Sequence, residues 1–507
     1  MAWGISPRKL EVVPLGAYSA DHYLTLLYHA MQNMGWHISY FDHDGIIAYT
    51  NISWASYAEE VSARIRGNMV VIKSECVGYQ GLFTDYGKNE KNLELLFGEI
   101  DVREVVLRAE MEESVQKLMD SVPENQFVQL ADPPLAAKED LRFLPDWFVP
   151  TKKYLVTPVL VYLNILAFIA SSLAIAVSTI KFLNSKEIRY DDRSPIDDIY
   201  LAVGINGRTP VLHGEVWRLI TGTFLHGGFM HLLGNMIVLV YIGSLIEWKL
   251  GRWNFLFLYL FTGIVASMTS VLWHTDGYAL GASGAIFGLF GILLALLSTD
   301  FYERNARRAL LISTGIFVAF HILPLGKGID HAAHFGGLIS GYVFGWIAYF
   351  GLKKNRKGVN TITAGLVSAV LSVLFVVIGM ATAKDYQLKE YKQLVDKSEN
   401  YSRNLYAEFY DDSLVTRDQK LALFKRKTLP QIKLLQNLEG QYLKLTLPEK
   451  ERKEASYRAQ IVKLQAKYFG LLYREFEEKT PKYRPQIIAA TDSINKLRAK
   501  WTEDDKR

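Results

Sequence analysis

Seven stretches of the chain contain no Asp, Glu, Lys or Arg: 154–180, 219–246, 253–275, 277–299, 309–326, 331–352 and 358–383. All lie between Lys153 and Lys384. About 20 predominantly apolar residues cross a bilayer as a helix. The pattern predicts a polytopic all-α membrane region over 151–383 and excludes a purely soluble enzyme. The flanks have a different rhythm. Tyr23 to Met34 is apolar at helical spacing, and alternating runs meet at Asp42-His43-Asp44-Gly45 and at Gly67-Asn68. Such pairs of runs predict hairpins. With a helical stretch from Asn89 to Asp120 and a Pro-rich linker from Pro123 to Pro150, residues 1–150 read as a soluble α+β domain. Nothing in it looks catalytic, which fits a binding or regulatory module. Residues 384–507 are charged and helical in period, with Pro430, Pro448, Pro481 and Pro485 dividing them into three or four helices. They read as a small solvated α-helical domain.

Composition adds little to this picture. Of 507 residues, 50% are hydrophobic and 21% charged, close to the roughly one quarter charged of soluble domains, because the charged flanks mask the apolar centre. The net charge of +5 is too mild to argue for a nucleic-acid partner. A single cysteine, Cys76, excludes an internal disulfide framework and a thiolate metal cluster. The opening MAWGISPRKLEVVPLGAYSA has no long apolar run of the kind found in a cleaved signal peptide.

Basic residues near the ends of the uncharged runs set an orientation. Lys152, Lys153, Lys249, Arg252, Arg304, Arg307, Arg308, Lys353, Lys354, Arg356 and Lys357 fall on one side. The short loops on the other side hold only Lys327, and the connection 181–218 balances its basic residues with acids. The N-terminal domain is therefore expected in the cytosol. After seven crossings the C-terminal domain is expected outside.

Polar side chains inside a membrane are costly and face a cavity or one another. His231 and Asn235 in the second run, Ser283 in the fourth and His334 in the sixth all fall near the outer third of the bilayer in this orientation. Small residues at intervals of four let helices approach closely. Gly284 and Gly288 follow Ser283, while Gly337, Gly341 and Gly345 follow His334. Contact between the two ridges would bring Ser283 to His334.

On these residues the chain resembles the rhomboid intramembrane serine proteases. The matching pieces are Gly281-Ala282-Ser283-Gly284, Ala333-His334 followed by Gly337 and Gly341, His231 with Asn235 four residues on, and the pair Trp217-Arg218 in the first loop. The resemblance covers about 154–352 and implies a six-helix core. The seventh run matches the subclass with an extra C-terminal helix. It also implies a Ser–His dyad: Ser283 as nucleophile, His334 as general base, and His231 and Asn235 lining the oxyanion site beside the Ser283 N–H. Phe287 stands where many members carry a Tyr stacked on the catalytic His. Asp330, four residues before His334, is expected at the wet mouth of its span rather than in a triad. His331 reads as a helix-end residue and His226 as a structural hydrogen-bonding group.

A metal site is not expected, because the histidines lack an HExxH pattern and a carboxylate within their span. No cofactor is implied. A channel or secondary transporter is disfavoured, as no inverted repeat of hydropathy is evident. The implied substrates are transmembrane proteins cut near the outer end of their helix. The implied location is the bacterial cytoplasmic membrane. The alternative is an inactive rhomboid-like protein that binds membrane clients without cutting, though such proteins usually lose the nucleophile or the base.

Overall fold

The computed structural model describes residues 7–52, 57–78, 84–124, 126, 144–185, 195–322, 328–353, 359–410 and 416–505. Most of the expected 123–150 linker, part of the 181–218 connection, and Lys327, Lys354, Arg356 and Lys357 lie outside the described residues. The chain divides into two compact units, Met1–Thr382 and Ala383–Arg507.

The first unit opens with β1 (Arg8–Pro14), α1 (Ala20–Asn33), β2 (His37–Phe41), β3 (Gly45–Tyr49), β4 (Glu59–Arg66), β5 (Met69–Cys76), α2 (Lys88–Leu107) and α3 (Met111–Asp120). The strands form one antiparallel sheet in the order β1-β5-β4-β3-β2. Both hairpins turn where the Asp-Gly and Gly-Asn signals stand. The expected helix over 89–120 is two helices. Strand β1 was not anticipated. Its apolar Leu10 and Val12 are exposed on this edge strand, while Lys9, Glu11 and Val13 between and beside them are half-buried. Strand β3 is buried along its whole length. Ile46 and Ala48 pack under α1 with Leu24, Leu27 and Met31. Ile47 and Tyr49 point the other way, as the two-residue period of a strand requires.

That second face lies against the membrane-spanning region. Ile47, Tyr49, Ala58 and Val77 share one core with Tyr302, Ala306, Ala309 and Leu310. Asn305 donates from Nδ2 to Ser39 Oγ at 2.9 Å.

The apolar region begins with α4 (Val156–Ser185). Short helices α5 (Pro195–Val203), α6 (Arg208–Leu212) and α7 (Arg218–Thr221) follow, then α8 (Phe229–Leu250), α9 (Arg252–Trp273), α10 (Ser283–Leu297), α11 (Arg304–Ile322), α12 (His331–Lys353) and α13 (Val359–Thr382). Among the described residues, five helices are long and apolar enough to cross a membrane: those beginning at Val156, Phe229, Arg252, His331 and Thr363. Three of the seven runs depart from the sequence reading: the second, 219–246, becomes one long helix only at Phe229, after α7 and a 3-10 turn over Gly222–Phe224. The fourth, 277–299, is not helical throughout. Gly277 and Gly281 take φ of 101° and 124°, which only glycine adopts readily. Tyr278–Ala279 instead forms a short strand, β7, against Asn206–Gly207, β6. Helix α10 therefore has 15 residues, about 22 Å at 1.5 Å per residue. The fifth run starts early as a helix, because α11 takes in Arg304, Arg307 and Arg308. Those charges end the uncharged run without ending the helix.

Glu247, 2% exposed, holds two helices together. Its carboxylate accepts the N–H groups of Leu155, Val156 and Thr157 at 2.7, 2.6 and 2.9 Å and the Thr157 hydroxyl at 2.7 Å. The first N–H groups of a helix have no partner within it, and here a carboxylate near the end of α8 satisfies them for α4. The two helix ends therefore share a level.

The second unit consists of α14 (Leu388–Tyr410), α15 (Arg417–Leu423), α16 (Leu429–Lys444), α17 (Glu449–Glu478) and α18 (Arg484–Asp505) around Leu405, Leu435, Leu438, Tyr442 and Phe469. Pro448 precedes α17, and Pro485 sits in the first turn of α18. Pro430 breaks nothing. A π-turn over Phe424–Thr428 joins α15 to α16 just before it, where the wider turn tolerates the missing N–H.

Candidate active site

Glycine at the α10–α12 contact decides the geometry. A Cβ on Gly337 would lie 2.0 Å from the Gly284 carbonyl oxygen, and one on Gly341 2.0 Å from that of Gly288. No side chain fits at either position, so the backbones touch. The close approach carries the side chains at the two helix starts together. Ser283 Oγ and His334 Nε2 are 2.9 Å apart, within hydrogen-bonding distance. His334 is buried and lies flat on Phe287, with ring centroids 4.2 Å apart and planes 11° apart. The phenylalanine holds the imidazole plane without any hydroxyl. Beyond it the rings continue through Phe290 to Phe317 on α11, so the stack under His334 reaches a third helix.

Ser283 is the first residue of α10, although the uncharged run begins six residues earlier. Its own N–H therefore belongs to the unpaired donors of a helix start, at the positive end of the helix dipole. The preceding Gly281 donates its N–H to Gly222 O at 3.0 Å. A Cβ there would lie 2.8 Å from His231 Cε1, 2.9 Å from His231 Nε2 and 3.6 Å from Asn235 Nδ2. His231 and Asn235, one turn apart on α8, are thus brought against the loop that leads into Ser283. Asn235 donates from Nδ2 to His226 Nε2 at 3.0 Å, and His226 meets His231 edge to face at 5.1 Å. His226 is fully buried and fixes the orientation of the Asn235 amide.

Trp217 and Arg218 lie in the loop region. Arg218 stacks over Trp217 at 4.5 Å, donates from Nε to Glu215 Oε2 at 2.6 Å, and caps the Leu201 and Ile205 carbonyls at 2.7 and 3.3 Å. The pair braces the loop and does not touch Ser283 or His334 by any hydrogen bond described. Asp330 accepts hydrogen bonds from Ser270 Oγ at 2.5 Å and from the Ala333 N–H at 3.0 Å, and pairs with His274 Nε2 at 3.1 Å. Burial raises its pKa. The hydrogen bonds from Ser270 and Ala333 and the His274 pairing outweigh that, leaving the carboxyl below the usual carboxylate range. His331 is the first residue of α12 and meets His334 edge-on at 6.2 Å. Among the described residues, no three His, Cys, Asp or Glu side chains are grouped to hold a metal ion.

Sequence reasoning missed Glu247, Glu215, Ser270 and His274. Glu247, Ser270 and His274 act on partners distant along the chain, of which short-range spacing carries no sign, whereas Glu215 pairs with Arg218 only three residues on. Gly277 and Gly281 were the available signal for the late start of α10.

Residues 213–350 match the family model described as "Rhomboid domain". RHOMBOID-like protein 1 of Arabidopsis thaliana is 36% identical over 153 residues, 28% of this chain and 39% of that protein. Rhomboid protease GluP of Bacillus subtilis is 33% identical over 215 residues, 41% of this chain and 40% of that protein. The chain thus spans well under half the length of either relative. Putative rhomboid protease YdcA of Bacillus subtilis is 34% identical over 148 residues, 29% of this chain, and 73% of its length is covered. With a matching domain, apolar helices of membrane-spanning length and a relative covered over most of its length, this membrane protein belongs to the rhomboid family.

Proposed function

We propose that the chain is an intramembrane serine endopeptidase that cuts transmembrane proteins near the outer face of the membrane. The observation that carries this reading is the 2.9 Å contact between Ser283 Oγ and His334 Nε2 on two helices locked by glycine. A serine hydroxyl is a weak nucleophile until a base removes its proton. As Oγ attacks the substrate carbonyl carbon, the proton passes to His334 Nε2. The tetrahedral intermediate then collapses as His334 gives that proton to the leaving amine. An ester remains on Ser283, and a water activated by His334 hydrolyses it in the reverse sense. The oxyanion would meet the Ser283 N–H, the second N–H of the Asn235 amide and His231. Loss of one such donor lowers turnover by about 10²–10³.

The same reading takes 1–150 as a cytosolic domain with its linker, 151–383 as six helices plus a seventh, and 384–507 as an extracytoplasmic helical domain of a bacterial cytoplasmic membrane protein. No metal or cofactor takes part. The decisive experiment is cleavage of a model transmembrane substrate in detergent. Ser283→Ala and His334→Ala should each fall to background, with the double variant no worse, because residues acting as a unit are not additive. Chelators should change nothing. Residual cleavage by Ser283→Ala would remove the nucleophile from this scheme. A wild-type chain that captures substrates intact would favour the inactive, client-binding alternative.

A further inference from the structure

The base sits in the first turn of α12, and a helix start is where a helix frays most readily, because its N–H groups lack partners. Here the start is tied down. The Asp330 side chain accepts the Ala333 N–H, and its main-chain oxygen accepts the His334 N–H at 3.2 Å. The same carboxylate reaches α9 through Ser270, one turn before the end of that helix, and His274, the residue that ends it. His274 also begins the loop that runs through Gly277 and Gly281 to Ser283. Asp330 therefore joins the turn carrying the base to the root of the loop carrying the nucleophile. Asp330, Ser270 and Ser283 line one small cavity of about 30 Å³.

We propose that Asp330 is a positioning residue, which keeps His334 in reach of Ser283 by capping α12 and clamping it to Ser270 and His274. The proposal rests on the Ser–His reading above. It differs from a triad, because the carboxylate's described partners are Ser270, His274 and the Ala333 N–H, with no hydrogen bond to the His334 ring. A misplacement of about 1 Å at a reacting pair can cost about 10²-fold, so the clamp needs to move little to matter.

The test compares Asp330→Ala, Asp330→Asn and His274→Ala in the full chain, in detergent, at a temperature where each is folded. Two rates are read: labelling by a small fluorophosphonate and cleavage of a transmembrane substrate. Asp330→Ala should slow labelling and kcat together by about 10- to 100-fold with KM unchanged. Asp330→Asn should recover most of both, since Asn caps a helix as well as Asp. His274→Ala, which alters a half-exposed side chain, should fall between wild type and Asp330→Ala. Wild-type labelling and kcat in Asp330→Ala would overturn the proposal, as would a rise in KM alone. Failure of the Ser–His reading has a separate signature: wild type unlabelled, or labelled equally after Ser283→Ala. In that case amide exchange decides. The Ala333 and His334 amides should exchange at least about tenfold faster in Asp330→Ala, and unchanged exchange would refute the clamp.

Discussion

The Asn235 amide has two N–H bonds, and one is committed to His226 Nε2 at 3.0 Å. That commitment leaves the other with a fixed direction, beside Gly281 and ahead of Ser283. A donor helps a transition state only when its orientation is set before charge develops. His226→Ala should therefore lower substrate turnover nearly as much as Asn235→Ala, by about 10²-fold, and the double variant should be little worse than either single one. Steady-state cleavage of one transmembrane substrate by the three variants checks this, and full additivity would separate the two residues. The residue scale was partly legible in the sequence. Ser283, His334, His231 and Asn235 stand out because polar groups are rare in apolar runs. The service of His226 to Asn235 is hidden, because it depends on how the Gly227–Gly228 entry folds back over the start of α8.

At the scale of helices, the period of four between glycines was the strongest signal, and the α10–α12 contact follows it. The period shows which faces meet but not where a helix begins. Ser283 opens α10 because Gly281 at φ 124° and the β6–β7 pairing hold the preceding residues out of the helix, and that pairing joins positions some seventy residues apart. The close contact yields a sharp prediction. Gly337→Ala would put a methyl group 2.0 Å from the Gly284 carbonyl oxygen, so the helices must part. Overpacking of this kind costs about 1–3 kcal/mol, and separating Ser283 from His334 by about 1 Å should slow serine labelling by about 10²-fold. Gly234→Ala on α8 is the control. Nothing lies within 4 Å of its added Cβ, so melting temperature and labelling rate should stay at or slightly above wild type. Equal behaviour of the two variants would mean that the ridge is not what sets the distance.

For the whole molecule the open quantity is which end of the membrane region faces the cytosol. Strand β3 places Ile47 and Tyr49 against Tyr302 and Ala306, so the N-terminal sheet touches the turn between α10 and α11. The cap from Glu247 puts the start of α4 and the end of α8 at a common level. Ser283 begins α10 and His334 lies in the first turn of α12, so Ser283 lies at the end of α10 opposite the sheet, and the contact between them brings His334 there too. Basic residues prefer the cytosolic side. Lys152 and Lys153 before α4, Lys249 in the last turn of α8, Arg252 at the start of α9, and Arg304, Arg307 and Arg308 at α11 mark the sheet's end. Docking of the sheet could not be foreseen, because a strand buried on both faces reads only as an apolar run. Charge and packing support the same proposal, with the sheet on the cytosolic side and the Ser–His pair near the outside. If, as proposed, α10 and α11 also cross beside the five helices of spanning length, seven crossings would carry residues 384–507 outside. A reporter enzyme active only outside the cytoplasm should be active when fused after Arg507 and silent when fused after Asp120 in a truncated chain. The reverse pattern would put the pair on the cytosolic side. Activity of neither fusion would mean an even number of crossings, with α10 or α11 as the helix that fails to span.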